Sequence, residues 1–403
     1  MGNESSTNAF RDTPRIGEAS LLYWSCRNGD VQVTRQILST QDFSDMNQLE
    51  PNGSTALHAA AFFGHSQIVH LLLNEYGVIR HRKNRYELTA YQEASTNQIR
   101  QLFQRHGHNR FCSHDDVSSL FDMAAPANSQ DHVPETKPSS GWVNIHRNMA
   151  DSYLSCVNFQ RKFLTNPLCQ LPMKTACKVF FWQENAEKIM TRQLQAVIHS
   201  SIPTTHLEYR KARELFSQYA KEKKLEPLLR LYSLETPFYK SLNRDNSDAL
   251  FMPLLWRLQS LESRTFQGQS FRGLTMTDED LRAYQWALHN KNSLIRTCSF
   301  CSTSLEERVA RQFIGPSIAT DKKRVLMVFH FPELCDTAIA LYRLSDNLPC
   351  VSEYEDEKEV LLLPRTMFMV TNIKQSVDLI IIYLENVNTF SALKFIKKEL
   401  ASE

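Results

Sequence analysis

The chain has 403 residues, a length typical of two or three domains rather than one. Apolar residues make up 42% and charged residues 22%, which excludes a wholly disordered chain, and a net charge of +2 gives no long-range field that would favour nucleic acid. The 11 glycines form neither of the two common phosphate-loop patterns, and no apolar run approaches the roughly 18 residues of a membrane span.

The N-terminus has no apolar core of a secretory signal, but it matches the Met-Gly-x-x-x-Ser pattern for myristoylation, with Gly2 as the acceptor. We prefer the interpretation as an ordinary unstructured start, and acylation is the alternative. A single acyl chain anchors weakly, and no basic run or neighbouring cysteine adds a second membrane signal. The nine cysteines are odd in number and lack disulfide-framework spacing. We therefore expect a reduced, cytoplasmic protein, to which acylation of Gly2, as the alternative, would add a weak membrane anchor.

An internal repeat with a period of about 34 residues occupies the first hundred residues. Its clearest copy, residues 51–73, has turns at Gly53 and Gly64, a Thr-Ala-Leu-His helix start and an apolar second helix. Residues 26–38 and 89–103 repeat parts of the pattern. The pattern closely resembles an ankyrin repeat, which implies a stack of helix pairs that binds a protein through its concave face. An unrelated set of helical hairpins is the alternative.

Polar and turn-forming residues replace the periodic apolar positions after residue 105, which indicates a linker. Four candidate zinc ligands lie in this segment: His106, His108, Cys112 and His114. Their spacing matches no common zinc pattern, so we prefer a polar loop and predict no metal site. The pair Cys298 and Cys301 has no second pair nearby, and we assign it to the core.

The next part of the chain is mostly helical by its pattern. Apolar positions recur at three- and four-residue steps from Tyr209 to Tyr219, and packing helices are expected at residues 228–232 and 237–242. By themselves these patterns predict a hydrophobic core and no chemistry.

After Phe266 the pattern changes from helices to short strands. The predicted strands are residues 270–273, 295–300 (running into 301–304), 324–331, 360–364, 367–373 and 377–384. Helices followed by strands without a βαβ rhythm predict an α+β domain built on a curved, largely antiparallel sandwich.

Two polar groups stand at strand ends where a core does not explain them. Arg272 interrupts an apolar strand, and Gly273 after it permits close approach of a ligand, so a planar, charged guanidinium there suits a pyrophosphate. Ser302, Thr303 and Ser304 end a strand before a helix expected at residues 305–313. Their hydroxyls can cap that helix or hold a ribose.

A third polar group consists of Glu357 and Glu359. In an extended chain their carboxylates share one face at a Cα spacing of roughly 6.6 Å, which suits two groups that act on two reacting partners. Each of the three groups alone has an ordinary interpretation as a surface arginine, a helix cap or a solvated strand. The three groups follow one another along the chain, each at the end of a predicted strand, and this arrangement favours a functional site.

The three motifs together resemble the Arg–Ser–Glu signature of the arginine-specific mono-ADP-ribosyltransferases, a family of vertebrate ecto-enzymes and bacterial toxins. The motifs are residues 271–273 with Arg272, residues 300–304 with Ser302, and residues 352–361 with Ser352, Tyr354, Glu357 and Glu359. The resemblance covers about residues 209–387, including a helix at 235–243, and implies a β-sandwich domain with packing helices.

The chain departs from the family at two points. Phe271 stands where many members have tyrosine, so an aromatic ring is kept. The export signal and lipid-anchor tail of the vertebrate surface enzymes do not occur, which predicts an intracellular member.

The resemblance implies that NAD is the substrate and that its ADP-ribose passes to an arginine of an acceptor protein, with release of nicotinamide. Breaking the nicotinamide–ribose bond creates an oxocarbenium-like state, so a carboxylate must stabilise positive charge on the sugar. The resemblance assigns this role to Glu359, acting through the ribose 2′-hydroxyl, and assigns Glu357 to the acceptor guanidinium.

The resemblance also implies the contacts with NAD. Arg272 would hold the phosphates and Gly273 the carboxamide. Ser302 would position the ribose and Glu359, while Thr303 and Ser304 brace the turn. Phe313 stands where the family has a ring stacked on nicotinamide, and a core residue of the helix is the alternative.

Two other functions compete with this one: an NAD glycohydrolase that uses water as the acceptor, and a non-catalytic interaction protein whose second domain is inactive. The joint presence of Arg272, Ser302, Glu357 and Glu359 favours the transferase.

The expected segments are ankyrin repeats at 15–105, a linker at 106–140, a helical segment at 141–205, the catalytic domain at 206–388 and a C-terminal helix at 389–403.

Overall fold

The structure is a computed structural model. It describes residues 18–105, 121–124, 145–146, 186–242, 248–289, 294–297, 299–314, 322–364 and 366–387. The described residues belong to two compact units, one of residues up to 105 with 203–217, the other of the rest.

The first unit is built from short helices that follow one another closely. They are α1 (Leu21–Asn28), α2 (Val31–Leu38), α3 (Phe43–Met46), α4 (Ala56–Phe62), α5 (Ser66–His70, continued by a π-helical turn Leu71–Glu75), α6 (Ala90–Glu93) and α7 (Asn97–Gln101). The predicted turns at Gly53 and Gly64 are confirmed, since φ is +75° and +80° there, a region that favours glycine.

The Thr-Ala-Leu-His motif starts α4 through a pair of reciprocal hydrogen bonds. The Thr55 hydroxyl accepts the N–H of His58 at 3.4 Å, and the His58 ring accepts the N–H of Thr55 at 3.3 Å. The other ring nitrogen of His58 bonds the Leu88 carbonyl at 3.1 Å, which ties this repeat to the next. Burial lowers the pKa of His58 to about 4, so the ring is neutral at pH 7. Thr89 and Gln92 repeat the arrangement at the start of α6.

The helices of the second unit precede and interrupt its strands. They are α8 (Ala186–Ser201), α9 (Tyr209–Glu222, whose residues up to 217 belong to the first unit), α10 (Glu226–Ser233), α11 (Phe238–Ser241), α12 (Asp248–Trp256), a 3-10 helix Leu258–Arg264, α13 (Asp278–His289), α14 (Glu307–Gln312) and a 3-10 turn Glu355–Glu357.

Its strands form one hydrogen-bonded sheet, and most pairs in it are antiparallel, as predicted. The strands are β1 (Phe121–Ala124), β2 (Ile145–His146), β3 (Thr265–Thr277), β4 (Leu294–Thr297), β5 (Cys301–Ser304), β6 (Lys322–Ala340), β7 (Glu359–Leu362), β8 (Met367–Gln375) and β9 (Ile380–Asn386). Their order is β2-β1-β4-β8-β9-β6-β3-β5-β7, and β1–β2 and β6–β9 are the parallel pairs.

One end of the sheet curls back on itself. The end of β6 pairs with β7 as well as with β3, and β7 pairs with β5, which pairs in turn with β3. These four strands therefore form a closed ring of pairings. The main core of the unit lies against them and includes Met327, Phe329 and Leu362.

The strand predicted at residues 295–300 and extended into the Ser-Thr-Ser motif is two separate strands, β4 and β5. They do not form one strand, because β4 pairs with β8, whereas β5 pairs with β3 and β7. β1 falls in the range expected to be linker, and β2 in the range expected to be helical.

Several sequence expectations lie outside the described residues: acylation of Gly2, the group His106, His108, Cys112 and His114, Cys298, and the helix at 389–403. Within the described parts of the chain, no helix has the length and apolar character to cross a membrane.

Candidate active site

The three motifs lie on neighbouring strands around β5. Phe271 of β3 pairs with Ser304 of β5, and Ser304 pairs on its other side with Glu359 of β7. Ser302 pairs with Leu361 in the same register. Because paired residues of antiparallel strands point to the same face, Ser302, Ser304 and Glu359 share one face of the β5–β7 pair.

Glu359 opens β7 and is a buried carboxylate. Its side chain is 1% exposed, and its Oε2 accepts a hydrogen bond of 3.0 Å from the hydroxyl of Ser352. Ser352 itself is 0% exposed, so this hydrogen bond is buried. This hydrogen bond orients the carboxylate.

Glu357 lies outside β7, which begins at Glu359, so the two acids do not share one extended strand as predicted. Glu357 ends a 3-10 turn, and Lys358 after it has φ of +42° and ψ of +52°, the left-handed conformation. A left-handed residue turns the chain, and the alternation of an extended strand does not apply across it. Both carboxylates are nevertheless buried, Glu357 being 4% exposed.

The turn between the two acids is held by the connection from β5 to α14. The Ser304 hydroxyl donates to the Glu357 carbonyl at 2.7 Å, and the Leu305 N–H donates to the Lys358 carbonyl at 3.1 Å. The Lys358 ammonium forms an ion pair of 2.5 Å with the Glu306 carboxylate. Lys358 and Arg308 together lower the pKa of Glu306. These contacts hold a backbone conformation that lysine adopts at a cost.

The hydroxyls of the Ser-Thr-Ser motif bind neighbouring segments and do not cap α14 in the predicted way. Ser302 hydrogen-bonds with the Tyr232 hydroxyl at 3.1 Å, and Thr303 donates to the Val360 carbonyl at 2.8 Å. Ser304 accepts the Glu306 N–H at 3.0 Å, and Glu306, the N-cap residue, has no side-chain cap bond of its own. The motif therefore ties β5 to α10, to β7 and to the acidic turn.

The Arg272 guanidinium lies against β5. Its Nη1 donates to the main-chain carbonyl of Ser302 at 2.8 Å, and the side chain is half-buried. It also lies within hydrogen-bonding reach of the Cys301 thiol; burial raises the pKa of that thiol, and the arginine opposes the shift. Arg272 is thus a cation held next to the strand that carries Ser302.

The open side of Gly273 is filled by the protein itself. A Cβ atom at this position would lie 2.0 Å from the Ala310 carbonyl oxygen of α14 and 2.5 Å from Cγ1 of Ile314. The expectation that Gly273 leaves this space for a ligand is therefore wrong, because the close approach is that of a helix. Phe313, after the last turn of α14, is 6% exposed and packs against Val309, as a core residue does.

Sequence reasoning missed α10 as part of the site. Arg230 donates from both terminal nitrogens to main-chain carbonyls, to Cys350 at 2.7 Å and to Ser352 at 2.7 Å. Tyr232 binds Ser302, and Ser233 accepts the N–H of Glu353 at 2.6 Å. The pattern of α10 shows an ordinary amphipathic helix, so only the long-range contacts reveal these residues.

The chemistry available here combines buried acids, hydroxyls and a cation. Two buried carboxylates can stabilise positive charge or accept a proton, since a low dielectric strengthens such interactions. The Arg272 guanidinium, held at the Ser302 carbonyl of β5, can bind a phosphate. These groups fit a substrate that joins a ribose bearing a cationic ring to a pyrophosphate, as NAD does.

The first hundred residues are similar to known repeat proteins. Residues 10–109 match the family model of ankyrin repeats in three copies. Inversin of Danio rerio is 33% identical over 72 residues, which are 18% of this chain and 7% of inversin.

The solved structures that resemble the chain include three bacterial proteins. The Vis toxin, an ADP-ribosyltransferase of Vibrio splendidus, has 18% identity and a TM-score of 0.27, with 51% of this chain and 88% of Vis covered. Exoenzyme S of Pseudomonas aeruginosa has 16% identity and a TM-score of 0.32, with 50% and 90% covered. The effector XopAI of Xanthomonas axonopodis has 14% identity and a TM-score of 0.35, with 64% and 100% covered.

At identities and TM-scores this low, the structural likeness carries no argument about function. The functional proposal below therefore depends on the residues of the candidate site. The predicted α+β class is confirmed: helices in the first unit are followed by a strand-rich domain with packing helices. The predicted repeats are confirmed as well, and the N-terminal part of the chain is a stack of ankyrin repeats.

Proposed function

We propose that the chain transfers ADP-ribose from NAD to an arginine side chain of an acceptor protein and releases nicotinamide. One observation carries the proposal. The buried Glu359 lies on the same face of the β5–β7 pair as Ser302, and the Ser352 hydroxyl orients its carboxylate. The Arg–Ser–Glu motifs lie on β3, β5 and β7, three strands that neighbour one another.

In the proposed reaction, the bond between ribose C1′ and the nicotinamide nitrogen breaks, and neutral nicotinamide leaves. Glu359 stabilises the positive charge that develops on the sugar, because a buried, oriented carboxylate needs no reorganisation at that moment. A guanidinium nitrogen of the acceptor then bonds to C1′. Glu357 takes the proton that this nitrogen gives up, so charge and atoms balance.

We assign the NAD contacts of this reaction to Arg272 for the phosphates and to Ser302 for the ribose, with Thr303 and Ser304 bracing β5. Main-chain groups of Gly273 would contact the carboxamide. We assign the catalytic domain to residues 206–388, of which residues 206–217 group with the first compact unit, and we assign binding of a protein partner to the ankyrin repeats.

The test of the proposal uses the full chain with NAD and agmatine, a small guanidine that stands in for the acceptor arginine. We expect an adduct whose mass exceeds that of agmatine by one ADP-ribose unit, together with stoichiometric nicotinamide. Nicotinamide without any adduct would indicate a glycohydrolase. No nicotinamide at all would contradict both enzymatic functions.

Arg272→Ala is expected to raise the Kd for NAD by about tenfold to 100-fold, because charge-assisted hydrogen bonds to phosphate are lost. Isothermal titration with NAD measures the change. Arg343→Ala, which removes an exposed guanidinium paired with Asp346, is the control and should leave the Kd unaltered. An unchanged Kd for Arg272→Ala would mean that other residues hold the phosphates.

Glu357→Gln is expected to keep NAD hydrolysis within a few-fold of the original rate while transfer to agmatine falls by at least about tenfold, since proton acceptance by a positioned group contributes 10²- to 10⁴-fold. Nicotinamide release and agmatine adduct, measured in the same reaction, separate the two activities. If both fell in parallel, the division of roles between Glu357 and Glu359 would be wrong.

A further inference from the structure

Helix α10 holds the segment that leads into the acidic turn. The two terminal nitrogens of Arg230 bind the carbonyls of Cys350 and Ser352, both at 2.7 Å. This fork spans two carbonyls of one short segment, which fixes that segment in position and orientation. A lysine could not make both bonds in the same geometry, because its ammonium is a single point of charge.

Further bonds from the same helix reach both sides of the candidate site. The Ser233 hydroxyl accepts the Glu353 N–H at 2.6 Å and donates to the Arg230 carbonyl at 2.8 Å. The Tyr232 hydroxyl bonds with the Ser302 hydroxyl at 3.1 Å. One turn of α10 therefore contacts β5 and the segment before β7 together.

Ser352 transmits this placement to the candidate catalytic acid. Its carbonyl accepts from Arg230, its N–H donates to the Leu341 carbonyl at 3.3 Å, and its hydroxyl donates to Oε2 of Glu359 at 3.0 Å. A serine whose main chain is bound at both ends has little freedom to move. Its hydroxyl is therefore a preorganised donor for a carboxylate that has left water.

We propose that Ser352 is a positioning residue that orients the Glu359 carboxylate toward the ribose, and that Arg230 acts through Ser352. This inference rests on the proposed function and adds to it two residues outside the Arg, Ser and Glu positions. The physical reason is that reacting groups must be held closely, since a misplacement of about 1 Å can cost on the order of 10²-fold in rate.

The first measurement compares kcat and KM for nicotinamide release by the full chain and by Ser352→Ala. We expect kcat to fall by at least about tenfold, with the KM for NAD within about twofold, because a charge stabiliser acts mainly in the transition state. Ser376→Ala removes a hydroxyl from an exposed turn, where it donates to the Leu379 carbonyl, and is the matched control. We expect it to retain full activity.

The second measurement is a double-mutant cycle, which detects whether two residues act together. If Ser352 acts through Glu359, adding Ser352→Ala to Glu359→Gln should change kcat by less than about twofold. A residue that only supports the fold would lower kcat by the same factor in both backgrounds. Additive effects in variants with unaltered melting temperatures would overturn the inference.

Arg230→Lys gives an independent test if Ser352→Ala folds poorly. It should lower kcat several-fold in the original chain and have no further effect in Glu359→Gln. Arg343→Lys, at an exposed position, is its control and should be neutral. Full activity of Arg230→Lys would contradict the role of Arg230.

The outcomes separate the inference from the function on which it depends. If the unaltered chain releases no nicotinamide from NAD, the proposed function is wrong and the inference is wrong with it. If the unaltered chain is active and the cycle is additive, the function stands and Ser352 has only a structural role.

Discussion

Glu359→Gln is expected to lower the rate of nicotinamide release by at least about 10²-fold, as the loss of a preorganised charge stabiliser does. Glutamine has nearly the shape of glutamate and can still accept the Ser352 hydrogen bond, but it carries no charge. The negative charge is therefore the main property removed. The melting temperature should stay within a few degrees of the original, because no bulk is added or lost.

Initial rates at saturating NAD measure this effect, with Glu262→Gln as a control. Glu262 is exposed and lies on the 3-10 helix before β3, so the same substitution there should alter neither rate nor stability. Full activity in a folded Glu359→Gln variant would remove Glu359 from the mechanism. It would also leave the buried bond to Ser352 without a catalytic purpose.

Gly273→Ala is expected to destabilise the second unit by about 3 kcal/mol or more, at the upper end of what overpacking costs. The new methyl group would lie 2.0 Å from the Ala310 carbonyl oxygen, which belongs to the backbone of α14 and cannot rotate away. Relief would require moving α14 off β3. Because α14 follows β5 directly, that movement would also disturb the Ser-Thr-Ser motif.

Urea unfolding monitored by circular dichroism measures the change in the free energy of unfolding. Gln269→Ala, at an exposed position of the same strand, is the control and should shift it by less than about 0.5 kcal/mol. A Gly273→Ala variant as stable as the original chain would show that β3 and α14 are not in close contact in solution.

Structural features that depend on residues close in sequence were predicted well. The ankyrin turns at Gly53 and Gly64 and the helix start at Thr55 follow from backbone preferences and bonds within a few residues. Strands β4, β7, β8 and β9 were also placed to within three residues, because burial of one or both faces leaves a pattern in the sequence. Strands β3 and β6 were predicted much shorter than they are, and β1 and β2 were not predicted.

Predictions that assumed a local conformation near the site were less successful. Glu357 and Glu359 were expected on an extended strand, but Lys358 between them is left-handed and bound to Glu306. Glu306 is far away in sequence, so no local pattern shows that bond. Gly273 was expected to face a ligand, and it faces α14 for the same reason.

The candidate site residues, an arginine, a serine and two glutamates, were chosen from the sequence alone, and the sequence alone also predicted the ankyrin repeats and the α+β class. Only the tertiary structure decided how those residues are held: the Arg230 fork, the Ser352 bond to Glu359, and the packing of α14 on Gly273. The reason is that hydrogen bonds between residues more than a hundred positions apart, such as Arg230 and Ser352, leave no periodic trace in the chain. They exist only once the sheet has folded.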